Sequence, residues 1–529
     1  MARKKNKVRV LEKVRVEEYA AEGRSLARVD GKVVFIERTV PGDVVDVFLS
    51  KSKKDWAEGY PRKFHELSSR RVIPFCQHFG NCGGCQWQMV PYEEQLKFKQ
   101  QQVVDALQRI AKVALPEIPF IIGAKEDRYF RNKLEYTFST KRYVPDGEFQ
   151  KIKAPLNPPE ETAPLNPPEG GSLESSSSET FLAESSKTPP SEELGEVSNL
   201  NALRETGAVG FHAKGWFDKV VDITTCYLQS EPNNQVREAI RDYAVANKLS
   251  FYDVRQHTGF LRNVQLRVCT TGEVMVNVIV GENDKEKIDA LLHHLQQTIP
   301  SVTTWVYTIN TKWNDSLYDL EPITWSGKGY VIEKLSTGCG GEEFQFKIGP
   351  KSFFQTNTKQ AEQLYRITRD FAELSGNEIV YDLYCGTGSI GIFVSEKAKK
   401  VIGVEMIEAA IEDARENAVL NGLNKTEFIA GDVIDICNDE FFDAHGHPDV
   451  IITDPPRAGM HEKLVRKILE IGAPTMVYVS CNPATQARDL RLLDEKYAVT
   501  KVQPVDMFPH THHIENVVQL KLRTVQKIL

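Results

Sequence analysis

The chain has 529 residues, 41% hydrophobic and 26% charged, enough for about three domains with buried cores and far too many for a small disulfide-stapled fold. Its apolar runs fall short of the ~20 residues a membrane helix needs, and Met1-Ala-Arg-Lys-Lys-Asn-Lys leads into Val8-Arg-Val, so no secretory signal is read and a cytoplasmic protein is expected. The net charge of -7 hides a basic start: Met1 to Pro74 carries 18 Lys plus Arg against 11 Asp plus Glu, whereas Ala154 to Thr206 carries 2 against 10.

Residues 1–71 read as a small β-barrel. Val8-Arg-Val, Ser25-Leu-Ala-Arg-Val, Lys32-Val-Val-Phe-Ile, Asp46-Val-Phe-Leu and Trp56-Ala-Glu-Gly-Tyr are short strands set apart by Asp30-Gly31 and Pro41-Gly42. The size fits an oligonucleotide-binding-type barrel, and the excess of basic residues suits a phosphate-backbone partner, with a solvated basic face as the plainer reading. Three cysteines follow, Cys76, Cys82 and Cys85. In a reducing compartment a cluster of thiols points to metal ligands rather than disulfides. Tyr92, Leu96, Val103, Leu107 and Ile110 recur at helical spacing and predict an amphipathic helix from Tyr92 to Ile110.

Residues 72–346 form a central, mainly antiparallel β region, marked by Lys133-Leu-Glu-Tyr-Thr-Phe, Gly207-Ala-Val-Gly-Phe-His and Val274-Met-Val-Asn-Val-Ile-Val. It is interrupted at about 153–206 by a tandem Ala-Pro-Leu-Asn-Pro-Pro-Glu and a serine run, which read as a disordered insertion with no part in the chemistry. From residue 347 to 529 the pattern becomes strands alternating with helices, among them Ile379-Val-Tyr-Asp-Leu, Val401-Ile-Gly-Val-Glu, Asp449-Val-Ile-Ile-Thr and Met476-Val-Tyr-Val-Ser. That is a Rossmann-like, doubly wound sheet, so the whole chain reads as a multidomain α/β protein.

Ligands of such a sheet lie at the carboxyl ends of its strands. Asp382-Leu-Tyr384-Cys-Gly386-Thr-Gly388 follows the first of them and opens a helix, with the glycines permitting a tight turn and a close cofactor. Glu405 ends the second strand, where a carboxylate accepts ribose hydroxyls. Asp432 follows the third, suited to an adenine, and Asp454-Pro-Pro-Arg457 follows the fourth. Acids at successive strand ends favour S-adenosylmethionine over a nicotinamide dinucleotide.

Cys481 and Glu515 flank the last strands. Carbon 5 of a pyrimidine is a poor nucleophile until a thiolate adds to carbon 6, and after methyl transfer a base must take the carbon 5 proton. Cys481, in Ser480-Cys-Asn-Pro, and Glu515, after His510-Thr-His-His-Ile, supply that pair. The three histidines also raise a metal site, weakly, since they lack a spaced partner.

The sequence resembles the RNA uracil-C5 methyltransferase family, in the subgroup with a TRAM domain and an iron-sulfur cluster that acts on 23S ribosomal RNA. The likeness covers nearly the whole chain outside the insertion. It rests on Cys76-x5-Cys82-Gly-Gly-Cys85, Ser352-Phe-Phe-Gln355-Thr-Asn357, the glycine loop, Asp454-Pro-Pro-Arg457-Ala-Gly459, Ser480-Cys481-Asn-Pro and His513-Ile-Glu515. It implies Cys481 as nucleophile, Glu515 as base, and Gln355, Tyr384, Glu405 and Asp454 at the cofactor, with Ser389 standing where some relatives have Asn. It also implies Cys226 as the fourth ligand with Cys76, Cys82 and Cys85. Four thiolates suit zinc or a 4Fe-4S cluster, and the family favours the cluster. Arg70, Arg71, His78, Phe79 and Trp87 offer phosphate and base contacts, packing being the alternative for the aromatics. Cys269, Cys339, Cys385 and Cys437 are expected to be ordinary buried thiols. Rival readings are an adenine or guanine amino-methyltransferase, a tRNA-directed uracil enzyme, a non-catalytic iron-sulfur RNA-binding factor and an oxidoreductase.

Overall fold

The computed structural model describes residues 10–144, 207–338 and 340–523. The basic residues before Val10, the expected insertion and Cys339 lie outside them.

The N-terminal module is a six-stranded sheet of β1 (Val10–Arg15), β2 (Glu18–Tyr19), β3 (Ser25–Val29), β4 (Lys32–Ile36), β5 (Val44–Ser52) and β6 (Trp56–Glu66), ordered β1-β5-β6-β4-β3-β2. Alternate residues turn inward, so Val14, Ala27, Val34, Ile36, Val45, Val47 and Ala57 fill one core as the sheet curls. Arg71 folds back on this core, its guanidinium donating to buried Asp43 at 2.6 and 2.9 Å.

Helix α1 spans Tyr92–Ala106 and continues into a π-helical turn over Leu107–Ala111. The expected face is only half right. Val103 and Leu107 are buried, but Ile110 is 40% exposed, and the polar Gln95 and Lys99 occupy the buried stripe instead.

The central sheet orders β7 (Lys133–Ser139), β8 (Ala208–His212), β9 (Val220–Asp222), β10 (Leu261–Val268), β11 (Val274–Val280), β12 (Thr304–Ile309) and β13 (Ile323–Ser326) as β13-β12-β11-β10-β7-β8-β9. All neighbours are antiparallel except β11 and β12. Helices Asn233–Ala246 and Lys285–Thr298 bury Val236, Ile240, Leu291 and Leu295 against it.

A hairpin, β14 (Val331–Ser336) and β15 (Glu343–Ile348), packs Leu335, Phe344 and Phe346 into the core of the last sheet. Helix α2 (Thr358–Ala372) follows, capped by the Asn357 side chain accepting from Gln360 N at 3.2 Å. The last sheet comprises β16 (Ile379–Leu383), β17 (Lys400–Glu405), β18 (Thr426–Ala430), β19 (Val450–Thr453), β20 (Thr475–Ser480), β21 (Tyr497–Val505) and β22 (Glu515–Leu522). Its order is β18-β17-β16-β19-β20-β22-β21, with β18 to β20 parallel and β22 antiparallel to both neighbours. The edge strand β21 is the one the sequence conceals: Lys501 and Gln503 interrupt its apolar residues, and its pairing slips between Val499 and Lys501.

Candidate active site

The parallel strands deliver their acids to one edge. Asp382, at the end of β16, is fully buried and accepts from Gly391 N at 2.8 Å through Oδ2, while its Oδ1 has no partner. Burial, with Asp454 and Glu405 adding to it, pushes this carboxyl up to about 8. Tyr384 and Gly386 then turn the chain through the left-handed region, at φ +63° and +53°. A side chain at Gly386 would meet nothing within 4 Å, whereas at Gly388 it would strike Phe428 at 2.8 Å. The first glycine therefore leaves room for a ligand and the second serves close packing.

Glu405 turns toward this loop, accepting from Ile407 N at 3.1 Å and Gly386 N at 3.4 Å. Asp432 caps the following short helix by accepting from Ile434 N at 2.9 Å, and its charge helps raise the Tyr384 phenol after burial. Gln355 is partly buried, and its carbonyl accepts from the Asn132 amide at 2.9 Å. The Thr387 hydroxyl donates to the Phe353 carbonyl at 3.3 Å and draws the Phe353–Gln355 segment onto the glycine loop. Ser389 is engaged by Tyr365, the hydroxyls 2.9 Å apart.

Cys481 and Glu515 meet because of sheet register. Ser480, the last residue of β20, pairs with Asn516, so the residue after the first faces the residue before the second across neighbouring antiparallel strands. Asn482 caps the helix that follows, accepting from Ala484 N at 3.1 Å, with Pro483 in its first turn. Glu515 is 6% exposed. Burial first, then Asp454, pushes its carboxyl well above the usual range. Asp454 is itself raised to about 7 by burial. Burial pushes the Cys481 thiol up to about 11, with Glu515 and Asp454 adding to the rise and Arg457 opposing it. Without a ligand the centre is thus a protonated thiol among crowded acids. The orphaned Asp382 oxygen and this surplus of acid suit a cationic ligand, and S-adenosylmethionine carries both a sulfonium and an ammonium.

Other functional groups gave little sequence signal. Arg457 is fixed by its carbonyl, which accepts from Asn482 Nδ2 at 3.1 Å and Thr485 Oγ1 at 3.2 Å. His512 and His513 stand with Cys481 on the wall of a cleft of about 1230 Å³. Burial pushes both imidazoles down to about 4, so they are neutral. The same cleft is lined by Glu17, Tyr19 and Arg24 of the N-terminal module and by residues of α1. Of the suggested basic and aromatic contacts, Arg70 lines this cleft, while Trp87 is fully buried beside Val40 and Met89 and packs rather than stacks on a ligand.

Cys76, Cys82, Cys85 and Cys226 converge on one small cavity. Burial pushes Cys85 up to about 12 and Cys82 beyond, each with neighbouring cysteines adding to the rise. Four thiols whose charges would repel suit a group that accepts several thiolates. Among the described residues, however, no group of three or more His, Cys, Asp or Glu side chains is placed to hold a metal ion. The expected iron-sulfur cluster is therefore not shown by side-chain placement, and neither is a histidine site at 510–513. Cys269, Cys385 and Cys437 are buried, as expected of ordinary thiols.

Residues 323–523 match the tRNA (uracil-5-)-methyltransferase family model and residues 5–60 the TRAM domain model. An uncharacterized RNA methyltransferase of Bacteroides thetaiotaomicron is 46% identical, covering 95% of this chain and 100% of its own. Another from Porphyromonas gingivalis is 43% identical over 96% and 99%. In fold, the chain is similar to the tRNA (uracil-54, C5)-methyltransferase of Pyrococcus abyssi in complex with S-adenosyl-L-homocysteine, at a TM-score of 0.67 and 24% identity, covering 96% of this chain and 100% of that one. The chain belongs to the RNA uracil-5 methyltransferase family, as a TRAM-bearing, S-adenosylmethionine-dependent RNA methyltransferase.

Proposed function

We propose that this protein methylates carbon 5 of a uridine in 23S ribosomal RNA through a covalent adduct on Cys481. The observation that carries the reading is the facing of Cys481 and Glu515 at the ends of β20 and β22, with Asp454 beside them. S-adenosylmethionine, when bound, supplies an electrophilic methyl group, with Gln355, Tyr384, Gly386, Gly388, Glu405, Asp432 and Asp454 as its proposed contacts. The target base must leave its stack, because carbons 5 and 6 are attacked from the ring face. Cys481 Sγ loses its proton to a neighbouring carboxylate and adds to carbon 6, and the electrons of the carbon 5–6 double bond move toward O4. Carbon 5 would then take the methyl group as electrons return from O4, the S–CH3 bond of the sulfonium breaking with its pair left on sulfur as a neutral thioether. Glu515 removes the proton left on carbon 5, the double bond re-forms, and Sγ departs with its electron pair.

Cys76, Cys82, Cys85 and Cys226 are proposed to hold a 4Fe-4S cluster whose part is architectural, since methyl transfer moves no net electrons. Iron and sulfide assays on anaerobically purified protein should find both, and Cys85→Ser should lose both; protein free of iron would end this part of the reading.

The family model and the Pyrococcus neighbour are both named for tRNA, which supports a second reading in which the uridine lies in tRNA. Mass-spectrometric mapping of 5-methyluridine in ribosomal and transfer RNA, with and without the protein, separates the two. A 23S-specific loss supports the first reading, and a tRNA-specific loss replaces it with the second.

A further inference from the structure

Four large aromatic side chains project from the central module: Trp216 is 46% exposed, Phe217 65%, Trp313 79% and Tyr318 78%. Isolated exposed rings need no explanation, but Trp216, Phe217 and Trp313 each lie against a basic or imidazole side chain. The Arg255 guanidinium lies 5.2 Å over the Phe217 ring and pairs with Asp218 at 2.7 Å, tying the loop between β8 and β9 to the turn at Asp253–Thr258. Two residues on, His257 stacks on Trp313 with centroids 4.9 Å apart and planes within 6°. Lys219 sits 3.9 Å over Trp216.

The loop carrying Trp313 is shaped from beneath. Arg262, 1% exposed, donates to the carbonyls of Asn310 and Lys312 at 2.7 Å, to that of Asn314 at 3.2 Å and to the Asp315 carboxylate at 2.7 Å. Its guanidinium lies 4.0 Å over the Tyr252 ring, and the Tyr252 hydroxyl is 3.3 Å from His257 Nδ1. A buried arginine persists only when its donors are satisfied. Here the four hydrogen bonds from its two terminal nitrogens hold in place a tryptophan left facing water, which is preorganisation for something that stacks on it.

We infer that Phe217, Trp313 and their neighbours form a stacking platform for unpaired bases of the RNA strand that continues from the Cys481 cleft. The inference rests on the RNA-methylating reading, and continuity carries it: Lys214 lines the cleft that holds Cys481 and lies two residues before Trp216. The acids of the patch do not oppose a phosphate chain, since Asp218, Asp315 and Asp319 are ion-paired to Arg255, Arg262 and Lys312. Stacking tolerates any base and adds little salt dependence, unlike the phosphate contacts expected nearer the barrel.

The test uses the full-length protein and a short fluorescein-labelled oligouridylate, with a blunt RNA duplex as control. Trp313→Ala and Phe217→Ala should each weaken oligouridylate binding roughly tenfold. Trp313→Tyr should retain most of the affinity, the salt slope and duplex binding should not change, and the melting temperature should hold because the rings are exposed. Oligouridylate binding within twofold of the parent in both alanine variants would overturn the platform, as would an equal loss of duplex binding. Unchanged RNA binding with lost self-association in light scattering would make the patch a protein interface and overturn it too. If the alanine variants lose affinity as expected while no 5-methyluridine is ever formed, the platform stands and the methylation reading falls.

Discussion

Glu515 and Asp454 are two acids in a site where only one can comfortably ionise, and Asp382 adds a third beneath them. An acid whose folded pKa is raised stabilises the fold below its ordinary value and loses that contribution as pH climbs to the raised one. Asp382 should therefore contribute a loss of stability between about pH 4 and pH 8, the window from the ordinary Asp value to its raised one. Asp382→Asn should flatten this decline in denaturant midpoints measured across pH, and S-adenosylmethionine should offset it; a profile unchanged by the substitution would contradict the burial argument. The Cys481 thiol titrates near 11 in the same field. Its alkylation by iodoacetamide should rise about tenfold per pH unit below that value. Arg457→Ala should slow the reaction several-fold and Asp454→Asn should speed it, as followed by peptide mass spectrometry.

The element that carries Glu515 toward the site is the segment from Asp506 to Ile514, and it is held from three sides. From α1, Lys99 Nζ donates to Asp506 Oδ1 at 2.6 Å and to Phe508 O at 3.0 Å, and Tyr92 Oη donates to Asp506 Oδ2 at 2.8 Å. From α2, Gln360 Nε2 donates to Asp506 O at 2.7 Å and the Asn357 amide to Met507 O at 3.0 Å. From the segment after Cys85, the backbone N–H groups of Gln86 and Trp87 donate to His510 O at 2.8 and 3.1 Å. Lys99 and Asp506 are both fully buried, so removing one partner strands the other's charge. Lys99→Met should cost about 3–5 kcal/mol in urea unfolding, and Lys99→Met with Asp506→Asn should cost less than the single change. At the other side of the site, Gly459 has φ +77° and an added Cβ would lie 2.7 Å from Asp489 Oδ2. Gly459→Ala should cost about 1–3 kcal/mol and lower turnover by shifting Arg457.

These ties also show where the sequence was legible. The alternation of apolar residues exposed the barrel and the central sheet, and the acids after successive strands do gather at one sheet edge, because period and turn chemistry are local. The lysine inside α1 broke its expected face, since its partner lies more than four hundred residues away and no spacing reports that. The pairing of Cys481 with Glu515 follows in the sequence from the chemistry a pyrimidine needs and from their places beside the last strands, whereas its physical cause is the antiparallel return of β22 beside β20.

At the scale of the whole chain, the cleft above Cys481 is walled by the barrel on one side and the last sheet on the other. RNA entering it would meet Arg24 and Arg70 of the N-terminal module, Lys97 of α1 and Arg109 of the turn that follows it. Phosphate neutralisation of this kind sets salt dependence rather than base choice. Arg70→Ala should weaken RNA binding evenly across sequences and reduce the slope of log affinity against log salt by about 1 in magnitude; an unchanged slope would remove Arg70 from the phosphate path. On the proposed reading the barrel would grip the RNA and the last sheet would carry the transfer, while the segment after Cys85 steadies the loop before Glu515.

The most direct test of the chemistry is mass spectrometry of Glu515→Gln after incubation with S-adenosylmethionine and RNA carrying the uridine identified by mapping. A covalent Cys481 mechanism predicts a denaturation-resistant complex whose digestion yields the Cys481 peptide bonded to a methylated uridine. It would be contradicted by Cys481→Ala producing 5-methyluridine at the parent's rate, or by Glu515→Gln losing turnover with no covalent species on Cys481.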